Sequence, residues 1–355
     1  MMITSEKNQI SVMIVNDSPY MVSLLSDLLS SEHHIKIVET ARDGLEALRK
    51  LRHLTPDIIL LDMEMPNMDG LTFIENVNLL PEKNLRIIVV SNYSPSNAKL
   101  ILDSLELGAV DFISIPPDDP HVVEKLKGAL LSKIEVASKS NRDALIPKAI
   151  SKLRPSKIIN TMSDGMASTV VVIGASTGAP RIITNILKDI PSDIPAGFLI
   201  VQHMNKEFIS TFAQRLDAIS KLHVKEAVEG DQIMEGTALL APGDMHMVVS
   251  PSRQIQLDHG PKRFGVRPAV NVTMVSASEV FGANTVGVLL SGMGQDGAFG
   301  MKMVKKRSGM TLAQNESSSV VYGMAKAAND LHAVDKMVDA DSLAHEIVKV
   351  VKQIV

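Results

Sequence analysis

Residues 169–180, T-V-V-V-I-G-A-S-T-G-A-P, pass from a short β-branched apolar run through a glycine-flanked serine into a helical pattern starting at Arg181. An apolar run with no polar alternation reads as a strand buried on both faces. A strand feeding directly into a helix is the repeating unit of a parallel α/β sheet. Downstream, 197–201, 238–240 and 286–290 read as further strands and 343–354 as a closing helix, while 245–250 and 254–258 suggest an inserted hairpin. Upstream, the runs 11–15, 35–40, 57–61, 86–90 and 110–113 are separated by amphipathic stretches such as 21–29 and 98–107. Repeated strand–helix units imply a second doubly wound, mainly parallel sheet, and such sheets gather their active groups at the carboxyl ends of the strands. Between 137 and 167, Ser, Lys, Arg, Asn and Asp interrupt the apolar positions without a sustained period. This stretch reads as a partly helical linker. The expected organisation is α/β throughout, with domains at 10–136 and 168–355 joined by a linker at 137–167.

A chain of 355 residues with 45% hydrophobic content has room for two sizeable cores. A net charge of −4 argues against a surface built for nucleic acid, and the nearest basic run, 302–307, reads as a solvated helix face. With no cysteine there is neither a disulfide framework nor a thiolate metal site. The opening M-M-I-T-S-E-K-N-Q-I lacks a signal-peptide core, and no apolar run approaches the ~20 residues of a membrane span. A soluble cytoplasmic protein, not inserted in a membrane, is expected.

In the second half, Ser176 occupies the geometry of a nucleophile elbow, although a serine before a helix also reads as a cap. The glycines at 174 and 178 leave room for its Oγ, and the following helix offers free N–H groups to a developing oxyanion. Serine needs a base. His203, closing F-L-I-V-Q-H-M, is one candidate, and His246, in A-P-G-D-M-H-M, is the alternative. A carboxylate at a third strand end comes from Asp296 in L-S-G-M-G-Q-D-G, which could equally be a helix cap, and the same turn offers the Met293 N–H as an oxyanion donor. The order Ser, His, Asp differs from the Ser, Asp, His of α/β-hydrolases.

In the first half, Asp17 follows the first strand and Asp62 ends the third, in L-L-D-M-E-M-P-N-M-D-G. Neighbouring carboxylates repel unless a hard cation such as Mg²⁺ shares them, although either could be an ordinary cap. Ser91 ends the fourth strand and could donate to an oxyanion there.

V-N-D-S-P, L-L-D-M-E-M-P-N-M-D-G and L-G-A-V-D-F-I resemble a two-component receiver domain, flavodoxin-like in fold, over residues ~10–135. The resemblance implies that Asp62 accepts a phosphoryl group from a chemotaxis histidine kinase, with Asp17 and the Glu64 carbonyl helping to hold Mg²⁺. Two departures bear on this. Asn16 stands where the family places an acid, and Ile115, in F-I-S-I-P, stands where it places a lysine. Weakened or altered phosphorylation control is therefore expected. I-G-A-S-T-G, V-Q-H-M, A-P-G-D-M-H-M, L-S-G-M-G-Q-D-G and A-Q-N-E-S-S-S-V-V-Y-G-M resemble, in order, the chemotaxis receptor methylesterase (CheB) family, a Rossmann-like three-layer domain usually preceded by a receiver. That likeness implies a Ser176–His203–Asp296 triad, with Met293 N–H and Thr177 beside the oxyanion. It implies no cofactor for catalysis, and the methylated helical region of chemoreceptors as substrate and partner, with glutamine deamidation as a second activity and the receiver blocking the cleft until phosphorylated. Ala179 and Asn271 depart from common family residues, and neither is expected to touch the triad. Two rivals remain. One is a short-chain dehydrogenase, suggested by G-A-S-T-G-A and the Y-x-x-x-K spacing of Tyr322 and Lys326; the other is an inactive regulatory module.

Overall fold

The structure, a computed structural model, describes residues 9–80, 84–92, 94–115, 122–145 and 165–355. The chain divides into two compact units, Met1–Lys148 and Ala149–Val355. In the first, β1 (Ile10–Val15), α1 (Pro19–Ser30), β2 (Ile35–Ala41), α2 (Gly44–Lys50), β3 (Ile58–Leu61), α3 (Gly70–Asn78), β4 (Arg86–Asn92), α4 (Pro95–Glu106), β5 (Asp111–Ile115) and α5 (Val122–Ser138) alternate along the chain. Their strands form one sheet in the order β2-β1-β3-β4-β5, every neighbouring pair parallel. The order reverses between β1 and β3, so the crevice at their carboxyl ends is where a doubly wound sheet binds. Helix starts are defined locally. Ser18 caps α1 and Asp69 caps α3, each accepting a backbone N–H of its helix, which leaves Asp17 and Asp62 free of that duty. The first residues of the expected linker belong to this unit: α5 runs through Ser138, and Arg86 donates to the Ser140 carbonyl at 3.1 and 3.0 Å. Linker residues 146–164 lie outside the described residues.

The second unit contains β6 (Thr169–Ala175), α6 (Pro180–Asp189), β7 (Ala196–Gln202), α7 (Lys206–Ile219), β8 (His223–Glu226) and β9 (Thr237–Leu240). There follow β10 (His246–Val249), β11 (Ile255–Asp258), α8 (Val270–Phe281), β12 (Thr285–Leu289), α9 (Ala298–Lys306), β13 (Met310–Gln314), α10 (Met324–Asp330), β14 (Lys336–Val338) and α11 (Leu343–Ile354). The sheet order is β14-β13-β12-β6-β7-β9-β8, with every pairing parallel. Strands β6, β7 and β12 are buried along their whole length, which is why they read as unbroken apolar runs. The expected hairpin is present as an antiparallel β10–β11 pair outside the main sheet. From β6 the chain first builds outward through β7, then returns to lay β12 on the other side. The carboxyl ends of β6, β7 and β12 therefore meet at the switch point. Among the described residues no helix is long and apolar enough to cross a membrane.

Candidate active site

Ser176 and His203 are the first residues beyond β6 and β7, whose register ends at the pair Ala175 and Gln202. They leave the sheet side by side, about one strand spacing (~5 Å) apart along the backbone. The His203 N–H extends the ladder to the Ala175 carbonyl at 2.9 Å, and the Ser176 N–H donates to Ser291 O at 3.0 Å on the β12 side. Ser176 is not a helix cap. Helix α6 starts four residues later at Pro180 and has no side-chain cap, and the Ser176 Oγ makes no hydrogen bond among the described residues. Gly178 holds a left-handed φ of 76°, which a serine-bearing turn this tight requires. Gly174 has a different role from the one its sequence position suggests: a Cβ there would lie 2.3 Å from Val270 Cγ1, so the glycine admits α8 against β6.

His203 Nε2 lies 2.9 Å from Asp296 Oδ2. Asp296 is buried, with a side chain 4% exposed, and it accepts three further bonds: from Val270 N–H at 2.7 Å, Asn271 N–H at 3.0 Å and Gly297 N–H at 2.9 Å. It does cap a helix, but not the one immediately after it. Its carboxylate sits on the first two amides of α8, which has no cap of its own, so the positive end of that helix faces the negative charge. Surrounded by donors, Asp296 only accepts, so Nε2 carries the imidazole proton and Nδ1 keeps the lone pair. The structure thus joins His203 to Asp296 but leaves Ser176 unbonded, the looser arrangement common at a site without substrate.

His246 is removed as a base. It is 1% exposed and both ring nitrogens are engaged, Nδ1 accepting from Ala269 N–H and Nε2 donating to Pro261 O, each at 3.1 Å. The expectation that Ala179 and Asn271 stand clear of the triad is corrected. The Ala179 N–H donates to Ser176 O at 3.1 Å, and Asn271 binds Asp296 through its own N–H. Both contacts use the backbone, so they are insensitive to the side chain that departs from the family.

The Met293 N–H donates to no protein group among the described residues, in a half-exposed turn. That turn is anchored at Gly292, whose carbonyl accepts from Gly323 and Met324 at 3.1 and 2.9 Å and whose N–H donates to Val321 O at 3.0 Å. Thr177 is tied in through its carbonyl, which accepts from the buried Ser291 Oγ at 2.8 Å. A Cβ on Gly323 would fall 2.6 Å from Gly292 O and 3.2 Å from Met293 Cα. Gly323→Ala should therefore push the turn aside and lower kcat by about 10²-fold, the scale of misplacing or losing one oxyanion donor. Steady-state kinetics beside a thermal melt would separate this from unfolding.

Sequence reasoning missed Gln202. It is 3% exposed, and its Nε2 donates to both Ser176 O and His203 O at 3.1 Å, tying the two strand ends together. A polar residue closing an otherwise apolar strand was the available signal. Ser291 was also missed. It accepts Ser176 N–H on its carbonyl and Val321 N–H on its hydroxyl, and its own amide donates to the Gln314 side chain.

At the first unit's switch point, Asp62 accepts from Met63 N–H at 2.6 Å and from Asn16 Nδ2 at 2.9 Å, while Asn16 Oδ1 accepts from Ser18 N–H at 2.8 Å. Burial, with the charges of Asp17 and Glu64 alongside, raises the Asp62 carboxyl to about 6, against the backbone N–H groups of Glu64 and Met63 that hold it down. Asn16 thus puts a neutral donor on Asp62 where an acid would add charge. Ser91, at the end of β4, is buried and bonded to Asn97 Nδ2 at 3.2 Å. Ile115 is the last residue of β5, level with Asn92 of β4.

A protein-glutamate methylesterase/protein-glutamine glutaminase of Pyrococcus abyssi is 39% identical over 350 residues, covering 98% of this chain and 95% of the relative. The chain belongs to this methylesterase family. A second relative of the same family, from Syntrophus aciditrophicus, is 40% identical over 97% of this chain and its own full length. Residues 171–347 match the CheB methylesterase domain, and residues 12–127 match the response regulator receiver domain. The solved catalytic domain of Thermotoga maritima CheB methylesterase is 36% identical, covers 51% of this chain and 97% of its own, and superposes with a TM-score of 0.50. Membership in the methylesterase family disposes of the dehydrogenase rival. The Y-x-x-x-K lysine, Lys326, is instead paired with Asp330 at 2.6 Å on the surface of α10.

Proposed function

We propose that this methylesterase is an active cytoplasmic serine hydrolase that removes γ-methyl esters from glutamates of methylated chemoreceptors. The observation that carries the reading is the contact of His203 with the buried Asp296, beside a serine hydroxyl that neither caps a helix nor bonds elsewhere among the described residues. Ser176 Oγ attacks the ester carbonyl while His203 Nδ1 takes its proton. The tetrahedral oxyanion receives the Met293 N–H, with Thr177 beside it. Methoxide leaves with the proton from His203 as methanol. Water then adds to the acyl-enzyme, giving the glutamate carboxylate and free Ser176. An amide passes through the same tetrahedral geometry, so receptor glutamine deamidation with loss of ammonia belongs to the same site. An acid-quenched reaction with a methylated receptor should trap a receptor–Ser176 adduct by mass spectrometry. Its absence, together with no methanol release, would leave the inactive-module reading in force.

For the receiver, the reading is a site with an acceptor but a reduced response. Asp62 is the phosphoryl acceptor for a chemotaxis histidine kinase. The Asp17 and Asp62 carboxylates, whose mutual repulsion a cation would relieve, would hold Mg²⁺ together with the Glu64 carbonyl, and the ion would neutralise charge on the phosphoryl group. Ile115 offers no cation to the phosphoryl oxygens. Small-molecule phosphodonors should activate the full chain by less than about twofold, and Ile115→Lys should restore several-fold activation through that added charge-assisted contact. Methanol release with and without phosphodonor checks both; full activation of the unaltered chain would refute the reading.

A further inference from the structure

Residues 259–267, H-G-P-K-R-F-G-V-R, carry three cations and no acid in a chain whose net charge is −4. The segment is a tight β-turn: Arg263 and Val266 exchange both backbone hydrogen bonds at 3.0 Å, and Phe264 and Gly265 between them have φ of 51° and 79°. Positive φ at both central positions is the primed turn that suits a hairpin, where glycine or asparagine is the ordinary occupant. A phenylalanine there is strained, yet its side chain is not used for packing: Phe264 is 60% exposed. The cations also lack acidic partners. Lys262 and Arg263 are exposed, and neither they nor Arg267 has a carboxylate partner among the described residues. Arg267 is braced on the His259 and Gly260 carbonyls at 2.7 and 2.9 Å, and Asp258, the nearest acid in the chain, is occupied by Gly260 N–H at 2.8 Å.

The turn is tied to the reaction centre by hydrogen bonds. His246 fixes its base through Pro261 O and Ala269 N–H, and the next residue, Val270, donates to Asp296. Phe264 precedes Val270 by only six positions, so at full extension its Cα lies within roughly 20 Å of the Val270 Cα, whose N–H donates to Asp296. On a helical substrate that distance is about thirteen residues, or fewer than about four turns.

We infer that this turn is a docking element for an acidic helical segment flanking the esterified glutamate, with Lys262, Arg263 and Arg267 reading carboxylates and Phe264 supplying the apolar contact. The inference rests on the methylesterase reading, because a substrate whose reaction sites become glutamates presents carboxylates beside the scissile ester. Exposed charges of this kind set encounter and register, so their effect should be lost in salt.

The test uses full-length protein carrying Ser176→Ala and a fluorescent helical peptide with one γ-methyl glutamate. In one version it is flanked by glutamates, in the other by glutamines. Anisotropy should give about tenfold tighter binding of the glutamate version at roughly 0.05 M salt, and near equality at roughly 0.5 M. Adding Lys262→Glu and Arg263→Glu should abolish the preference. Phe264→Gly should weaken both peptides several-fold without lowering the melting temperature, since glycine relieves the left-handed backbone. Equal binding of the two peptides, an unchanged preference in the charge-reversed protein, or stronger capture by anionic vesicles than by peptide would overturn the inference. Methanol release by the Ser176 protein is read separately. If it fails while the charge-dependent preference holds, the esterase reading falls and the docking element stands.

Discussion

Ser176→Ala should abolish methanol release, lowering kcat by about 10⁶-fold, while the melting temperature stays within experimental error of the unaltered chain. The two halves of that expectation have separate physical grounds. On the proposed mechanism the Ser176 hydroxyl forms the covalent intermediate, so without it the two-step route through an acyl-enzyme is replaced by direct attack of water on the ester. The Met293 N–H and the binding surface remain, which leaves a residual of about 10³–10⁴-fold over the uncatalysed reaction. Stability is spared because Ser176 Oγ bonds to nothing among the described residues, whereas the turn around it is held by backbone contacts that alanine keeps. A fall in melting temperature would mean that the hydroxyl has a structural partner, and retained methanol release would reject the nucleophile.

Asp296→Asn should behave differently, with both activity and stability falling. The carboxylate receives four donors, His203 Nε2 and the amides of Val270, Asn271 and Gly297. An asparagine must turn its NH₂ toward some of them, so a donor faces a donor in a buried site. One such clash costs about 1–3 kcal/mol. If the amide faces His203, the imidazole flips to the tautomer that holds its proton on Nδ1, and the lone pair needed by Ser176 is gone. Loss of about 10⁴-fold in kcat is the scale seen when serine-protease triads lose this tautomer control. A denaturant titration beside single-turnover kinetics measures both effects. A stability loss with kcat preserved would show that Asp296 serves α8 rather than the imidazole.

Much of the fold was legible because parallel strands buried on both faces must be apolar throughout, so β6, β7 and β12 stand out as V-V-V-I, F-L-I-V and V-G-V-L. Residues just beyond a strand end must lie at the sheet edge, and that placed Ser176, His203, Asp17 and Asp62 without coordinates, whereas Asp296 lies past Leu289 by a whole Gly-rich turn. Edge and short strands were less visible. H-V-K-E of β8 and K-M-V of β14 are brief and partly exposed, and M-T-L-A-Q of β13 mixes buried polar residues into its run. The capping alternatives could not be resolved by spacing either. Ser176 and Asp296 both precede helices, yet the serine caps none, while the aspartate caps α8, which begins 26 residues earlier in the chain.

The serine at the elbow was therefore fixed by local chemistry: a buried strand, a left-handed glycine and a helix start are properties of neighbouring residues. Its equipment was decided at a distance. Gln202 joins Ser176 to His203, Ser291 grips the turn from just beyond β12, and the first amides of α8 hold the carboxylate that contacts the His203 imidazole. Hydrogen bonds of that kind depend on strand order and register, which bring together residues 26 to 114 positions apart. Periodicity along the chain carries information about which face is buried, and none about which buried polar atoms will meet.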